Sequence, residues 1–447
     1  MRQGGNLEAW KEVHGIVCDL AELMKVKGER WLEQSSSKPK YFSFSPVELH
    51  AISTRLQLPE PTTEQGASSS SSADIGHVLD FLHRLPHLKV RGVKGYHGSS
   101  DIPVNHMQFS LAPCKQLHSL WITDCDPKCI KGLDHCKSTL KSLVVHYSLT
   151  KLSDLLATSD LCEDELSESN LNSFLPWSAV LEVDFSFNQI LEIDKSITLL
   201  GNVEKLDLSG NRLRDIGKEL QHLSRLTSLT LSNNGLEKLD AWHTRLGNIT
   251  TLNLRGNSVR NLQGLSKLYS LVRLDLRDNA LMTAADVWGV GGLPCLERLE
   301  LEGNPIDSSV EYRTRVLEVF GERAAEVYLD GRKGNQKELD TVGVRLAIRK
   351  AREEKEELLE KTRQQIADKL KFLEAKLPTT GSGVGSTSRQ RRLSPDDLLR
   401  PKMGEGRGEE EMEVGGGGDE AGSNGGSGME RDGGSASSTA TVTAISS

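Results

Sequence analysis

Along the middle of the chain, apolar and polar residues alternate in short bursts, and each burst ends on an asparagine. The bursts read VDFSFN, LDLSGN, LTLSNN, LNLRGN, LDLRDN and LELEGN. They close on Asn188, Asn211, Asn234, Asn257, Asn279 and Asn304, at steps of 23, 23, 23, 22 and 25 residues. Alternation with a period of two predicts a short strand with one buried face. One such unit cannot bury its apolar face alone, so successive units must stack. The inward pairs are Leu206 and Leu208, Leu229 and Leu231, Leu252 and Leu254, Leu274 and Leu276, and Leu299 and Leu301. Burying each of these side chains is worth ~1.5–3 kcal/mol. The asparagine falls where the chain leaves the strand. Its amide donates and accepts, so it can pair backbone groups of its own turn and of the adjacent one. The asparagines are therefore structural, and no recognition role is assigned to them.

This is the leucine-rich-repeat pattern. It predicts an α/β fold, a solenoid with a curved parallel sheet on its concave side and helical or 3-10 segments on its convex side. Residues 1–60 read as a helical amino-terminal segment, in which Ser45 caps a helix that has Pro46 at its first position. Residues 61–73, within the Pro- and Ser-rich stretch PEPTTEQGASSSSS, read as a flexible linker. The solenoid with its carboxy-terminal cap is expected over 74–330. Imperfect repeats open it: LHSLWITDC puts Cys125 at the asparagine position, and LKSLVVHYS puts Ser148 there. The long step from Ser148 to Asn188 contains DLCEDELSESN, expected to bulge as a loop. VEYRTRVLEVFGERAAEVYLDG reads as a helix and a closing strand over the last repeat. Residues 331–377 read as a charged helix. Leu359, Ile366, Leu370, Leu373 and Leu377 fall near coiled-coil spacing for less than three heptads, so the helix is read as solvated. Residues 378–447, rich in Gly, Ser, Thr and acidic residues, are expected to be disordered.

Composition narrows the function. The chain has 447 residues, 55 basic against 63 acidic, and only 5% aromatics. That balance offers no nucleic-acid footprint. Cys18, Cys114, Cys125, Cys129, Cys136, Cys162 and Cys295 are scattered singly and read as reduced core residues. MRQGGNLEAWKEVHG has no apolar core of a secretory signal, and no apolar run approaches the roughly 20 residues a membrane span needs. The sequon Asn248-Ile-Thr250 is read as chance. Cys125, Cys129 and Cys136 with His118 and His135 lack paired CxxC units, so no metal is assigned. P-loop, nucleophile-elbow and HExxH motifs are absent, and neither a cofactor nor a catalytic residue is expected. In RQRRLSPDD, Ser394 is a candidate phosphosite whose charge Arg391 and Arg392 could pair. The same stretch also reads as a helix cap.

Recognition must come from the side chains that alternate with the core leucines. The central column runs Asp184, Asp207, Thr230, Asn253, Asp275 and Glu300. Its late repeats concentrate Arg255, Arg273, Arg277 and Arg298 around Asp275 and Glu300. Arginine's planar fork suits carboxylates, so an acidic partner segment is expected on this late concave face. The competing reading is an ion-paired, solvated sheet.

LGNITTLNLRGN, GLSKLYSLVRLDLRDN and LPCLERLELEGNP, continuing through YRTRVLEVFGERAAEVYLD and KELDTVGVRLAIRKAREEKEEL, resemble the nischarins. The resemblance covers roughly His14 to Leu359. It implies a cytoplasmic, endosome-associated scaffold that docks integrin α cytoplasmic tails, p21-activated kinase and Rac or Rab GTPases, and restrains cell migration. It also brings imidazoline binding into view. The chain departs from the family in having no PX domain before His14 and no long carboxy-terminal half, so phosphoinositide binding is not expected. The expectation is a non-enzymatic adaptor. Its alternative is a regulatory subunit holding a Ser/Thr protein phosphatase on the concave face.

Overall fold

The alternating frame folds into one three-residue strand per repeat in a computed structural model that describes residues 4–33, 39–57, 75–96, 101–157 and 174–376. The linker 61–73, the acidic stretch at 160–170, Ser394 and the tail lie outside the described residues. The strands are β1 (Phe42–Phe44), β2 (His87–Arg91), β3 (Phe109–Ser110), β4 (Ser119–Thr123), β5 (Ile130–Lys131), β6 (Ser142–His146), β7 (Glu182–Asp184), β8 (Lys205–Asp207), β9 (Ser228–Thr230), β10 (Thr251–Asn253), β11 (Arg273–Asp275), β12 (Arg298–Glu300) and β13 (Tyr328–Leu329). Among the described residues, β3 and β5 pair with each other and the remaining 11 form one parallel sheet in chain order. Each repeat therefore pairs only with its neighbours, the topology of a solenoid.

Registry is strict from strand to strand. Leu206, Leu229, Leu252, Leu274 and Leu299 form one inward column, buried throughout. On the other side of each repeat the chain returns through 3-10 turns such as Lys195–Leu200, Glu219–His222 and Gln263–Leu265. The fifth return carries an eight-residue helix, Ala284–Gly291, set by a capping box between Thr283 and Asp286. That longer element accounts for the 25-residue step to Asn304. Gly264 and Gly289 mark where neighbouring returns touch: a Cβ would collide with the carbonyl of Leu239 or Leu262.

Every repeat asparagine makes the same set of bonds. The Asn257 amide donates to the carbonyls of Leu254 in its own turn and Leu231 in the preceding one, both at 2.9 Å. Its oxygen accepts the Leu236 N–H at 3.1 Å. Asn211, Asn234, Asn279 and Asn304 repeat this pattern, and Asn188 accepts from both Ser148 and Leu149 N–H. Upstream, Ser148 does both jobs with one hydroxyl, donating to the His146 carbonyl and accepting the Cys125 N–H. Downstream the ladder ends on Asp330, which accepts the Leu301 N–H at 2.7 Å and the Tyr312 hydroxyl at 2.7 Å.

The sheet begins earlier than the repeat pattern indicates. Its first strand is β1, paired with β2 in the register Phe42 to Leu88, and not a segment near Asp74. Three residues between helices carry too few alternations to register as a period. The helices Gly4–Leu23 and Pro46–Gln57 pack at this edge, where Leu20, Met24, Leu49 and Ile52 join the core around Phe44 and Phe81. Ser45 and Glu48 cap the second helix reciprocally. At the far edge the helix Tyr312–Val319 and β13 cover the last repeat. The helix Gln336–Lys376 then starts against them through Leu339, Val342 and Leu346. Arg345 pairs there with Glu311 and Glu318. Described residues through Glu357 form one unit; those from Leu358 belong to a second.

Removing one asparagine should leave a buried N–H and two carbonyls short of partners. Asn257→Ala is expected to cost about 2–4 kcal/mol in urea unfolding. Asn234→Ala, at the half-buried member of the row, is expected to cost clearly less. Equal and small losses would contradict the ladder's role.

Candidate functional site

Because side chains alternate along each strand, the residues between the inward leucines all emerge on the sheet's open face. At its late end Arg273 and Arg298 are neighbours in register and both exposed. The Arg298 guanidinium lies 5.6 Å from the Tyr328 ring centre, and Lys333 Nζ lies 5.1 Å from the same ring. Among the described residues no carboxylate pairs with Arg273, Arg298 or Lys333.

The other two arginines of the late face are engaged internally. Arg277 forks onto Asp275 in its own repeat, Nε to Oδ1 at 3.0 Å and Nη2 to Oδ2 at 2.6 Å. Those bonds hold its guanidinium pKa above the ordinary value. Arg255 Nε pairs with Asp278 Oδ2 at 2.8 Å, an exposed pair of small energetic weight. Glu300 is half-buried, and burial, then the charge of Asp330, raises its carboxyl pKa. Asp275 and Glu300 thus sit among the arginines, as the ion-paired reading has it, but Arg273 and Arg298 are left facing outward.

The early half of the face carries a group that counting columns from β7 onward misses. Lys89 Nζ stands 3.4 Å from the Trp121 ring centre. Tyr41 packs edge-on to Trp121 and bonds Ser119 Oγ at 2.7 Å. The Trp121 indole N–H is buried with no acceptor among the described residues. Beyond it, Tyr147 and Phe187 stack on each other with ring centres 5.9 Å apart and planes at 23°. They are 61% and 50% exposed. His146 lies edge-on to Trp121 and Phe187.

Tyr147 and Phe187 also occupy an unusual backbone position. The residue just before each turn's asparagine, or its stand-in, has positive φ. Elsewhere this residue is Asp124, Gly210, Asn233, Gly256, Asp278 or Gly303. Gly, Asn and Asp tolerate the left-handed region. Tyr147 at φ 53° and Phe187 at φ 56° do not, and each carries a strain of roughly 1 kcal/mol or more. The sequence signal was there: VVHYS and VDFSFN put aromatics where sibling repeats have Gly, Asn or Asp.

Next to this shelf, Asp184 and Asp207 sit in register on adjacent strands. With Glu182, Ser142, Val144 and Thr230 they line a hollow of about 320 Å³. Burial raises the carboxyl pKa of Asp184, but bonds from His146 Nε2, 3.1 Å away, and from Ser186 outweigh it and leave the value lowered. Among the described residues no cation bonds Asp207 directly. Burial and the neighbouring Asp184 charge raise its pKa despite bonds from Ser209. Lys205 is turned aside to Glu182 at 2.6 Å.

The cysteines outside the sheet face are mostly core groups. Cys125 and Cys136 are buried, and burial pushes each thiol up to about 12. Cys125, Cys129 and Cys136 do not gather with His118 and His135. The structure instead places Cys129, a thiol pushed up to about 11 by burial and then Asp126, beside His106 and Asp126. In that group Asp126 caps the following turn and pairs with His106 at 3.2 Å, and the Cys129 thiol donates to the His106 carbonyl. Each donor therefore has a partner within the chain. No described helix is long and apolar enough to cross a membrane.

A family model for Leucine Rich repeats in two copies matches residues 201–242, which contain the turns of Asn211 and Asn234. The solenoid is of the leucine-rich-repeat type. The chain is 30% identical over 272 residues to the Homo sapiens serine/threonine-protein kinase 11-interacting protein, covering 60% of this chain and 23% of that protein. The Mus musculus protein of the same name is 34% identical over 279 residues, 61% of this chain and 24% of its own length. The match thus spans about a quarter of these relatives. Among solved structures, the internalin inlF from Listeria monocytogenes aligns at 21% identity over 52% of this chain and 65% of its own, with a TM-score of 0.35. The plant peptide hormone receptor RGFR1 in complex with RGF2 aligns at 20% identity over 51% and 37%, with a TM-score of 0.33.

Asp207 gives the face a pH signature. Its raised pKa means that the folded chain holds this proton more tightly than the unfolded chain does. The stability it contributes is complete below the ordinary carboxyl range and is lost as pH rises through the raised value. Asp207→Asn is therefore expected to raise Tm by about 2 °C near neutral pH, with the gain closing towards pH ~3.5. Thermal scans across that range in which the substitution lowers Tm equally at both ends would contradict the repulsion.

Proposed function

We propose that this chain is a non-enzymatic docking module that presents the open face of its sheet to signalling proteins. The observation that carries the reading is the outward cationic group at the late end. Arg298 and Lys333 lie over the Tyr328 ring and Arg273 stands beside Arg298 in register, with no carboxylate of the chain's own paired to any of the three among the described residues. Charges held ready in this way suit an acidic segment on a partner and favour its encounter.

The similarity to a protein named for interacting with a serine/threonine kinase supports a kinase as the first partner class to test. The nischarin resemblance widens the set to p21-activated kinase, Rac and Rab GTPases and integrin α cytoplasmic tails. It also carries the cytoplasmic, endosome-associated role in restraining migration. Arg277 belongs to the site through Asp275, as a member of a fixed pair and not as a free cation. The phosphatase-subunit reading uses the same face, and the same binding panel separates it from the others.

The panel sets the purified chain against serine/threonine-protein kinase 11, p21-activated kinase, Rac, a Rab GTPase, an integrin α tail and a Ser/Thr phosphatase catalytic subunit. The reading expects at least one signalling partner to bind. Joint Arg273→Glu and Arg298→Glu reversal should weaken that binding by about tenfold or more, while Arg255→Gln should change it little. Unchanged affinity in the reversed chain would contradict the proposal. Binding of the phosphatase alone would favour the regulatory-subunit alternative.

A further inference from the structure

The Tyr147 and Phe187 shelf has no structural need that explains it. Its backbone would be relaxed by Gly, Asn or Asp, the residues that sibling repeats use there. The rings are exposed and stacked on each other, and Phe187 rests against Gly210 of the next turn. An outlier that costs stability and presents aromatic surface points to recognition.

Two further features state what would be recognised. Asp184 and Asp207 face the same solvent on adjacent strands, and among the described residues no Lys, Arg or His forms an ion pair with Asp207. His146 ties the two groups together, its Nε2 lying 3.1 Å from Asp184 and its ring centre 5.9 Å from that of Phe187. One incoming side chain can therefore reach both rings and carboxylates. A planar guanidinium does this best, since it stacks on aromatic faces and bonds carboxylates through a fork.

We infer that this end of the face seats an arginine of an extended partner segment, whose acidic residue reaches Arg273 and Arg298 at the other end. This deepens the docking reading and rests on it. From the β7–β8 pair to the β11–β12 pair is four strand steps, about 19 Å, which an extended chain covers in about six residues. The recognised segment is thus divided by charge, basic at one end and acidic at the other. The chain's two outward charge groups are laid out in the opposite order.

The test uses a random dodecapeptide phage library selected on the full chain. Enriched peptides should carry arginine and, about six residues away, Asp or Glu. A synthetic peptide of the enriched sequence should bind Phe187→Gly and Asp207→Asn chains at least about tenfold more weakly. The Tm of Phe187→Gly should stay level or rise, because the left-handed turn is relieved; a residue needed only for folding would lower it. Selection of peptides without a basic residue, selection of none, or equal binding to both variants overturns the inference. Loss on joint Arg273→Glu and Arg298→Glu reversal without loss on Phe187→Gly removes this inference and leaves the docking reading standing. Insensitivity to all of these variants removes both.

Discussion

The structure depends on one recurring arrangement: an asparagine amide that bonds backbone of its own turn and of the turn before it. A solenoid has no second sheet to cover its turns, so each buried N–H and carbonyl must find a partner locally. Asn257 meets that demand with three bonds, one within its own turn and two across the boundary to the preceding repeat. Repeated along the chain, this linkage fixes the spacing of adjacent strands and locks their register. The leucines supply most of the burial energy, but apolar contact alone does not choose a register. The ends show the same constraint met by other chemistry. Ser148 replaces the amide with a hydroxyl, and Asp330 replaces it with a carboxylate satisfied by Tyr312.

Register is what gives the open face its meaning. Because strands align residue for residue, Asp184 meets Asp207, and Arg273 meets Arg298. Like charges are set side by side where a one-residue slip would scatter them. Internal pairing then selects which charges remain available. Arg277 is taken by Asp275, Arg255 by Asp278 and Lys205 by Glu182. What is left is an aromatic and acidic end and a cationic end, divided by the neutral strands of Thr230 and Asn253.

Much of this was legible in the sequence where the repeat is regular. From Val183 to Glu300 the first inward residue of each repeat and the outward residues on either side of it fall in register in the parallel sheet where the frame puts them, and each asparagine follows in the turn beyond its strand. Legibility failed where periodicity is short or imperfect. Phe42–Phe44 is too brief to show a period, so no repeat pattern marks the sheet's first strand. LHSLWITDC and LKSLVVHYS keep the repeat's inward spacing, but they lack the asparagine that fixes the outward columns, so the sequence does not place Trp121, His146 and Tyr147 on the face. Phe187 was in plain view in VDFSFN. Its meaning needed the backbone angle, because only a positive φ turns an ordinary aromatic into a strained one. Likewise, composition showed four arginines, but only side-chain geometry separates the paired from the free.

The central claim is that the sheet's open face, not the helical side, meets the partner. Hydroxyl-radical footprinting of the chain with and without a bound protein or selected peptide tests it most directly. It reads Tyr147, Phe187 and Tyr328 on one side and the exposed Trp288 of the helix Ala284–Gly291 on the other. The account expects oxidation of the first three to fall on binding while Trp288 stays reactive. Protection of Trp288 with Tyr147, Phe187 and Tyr328 unchanged would contradict it.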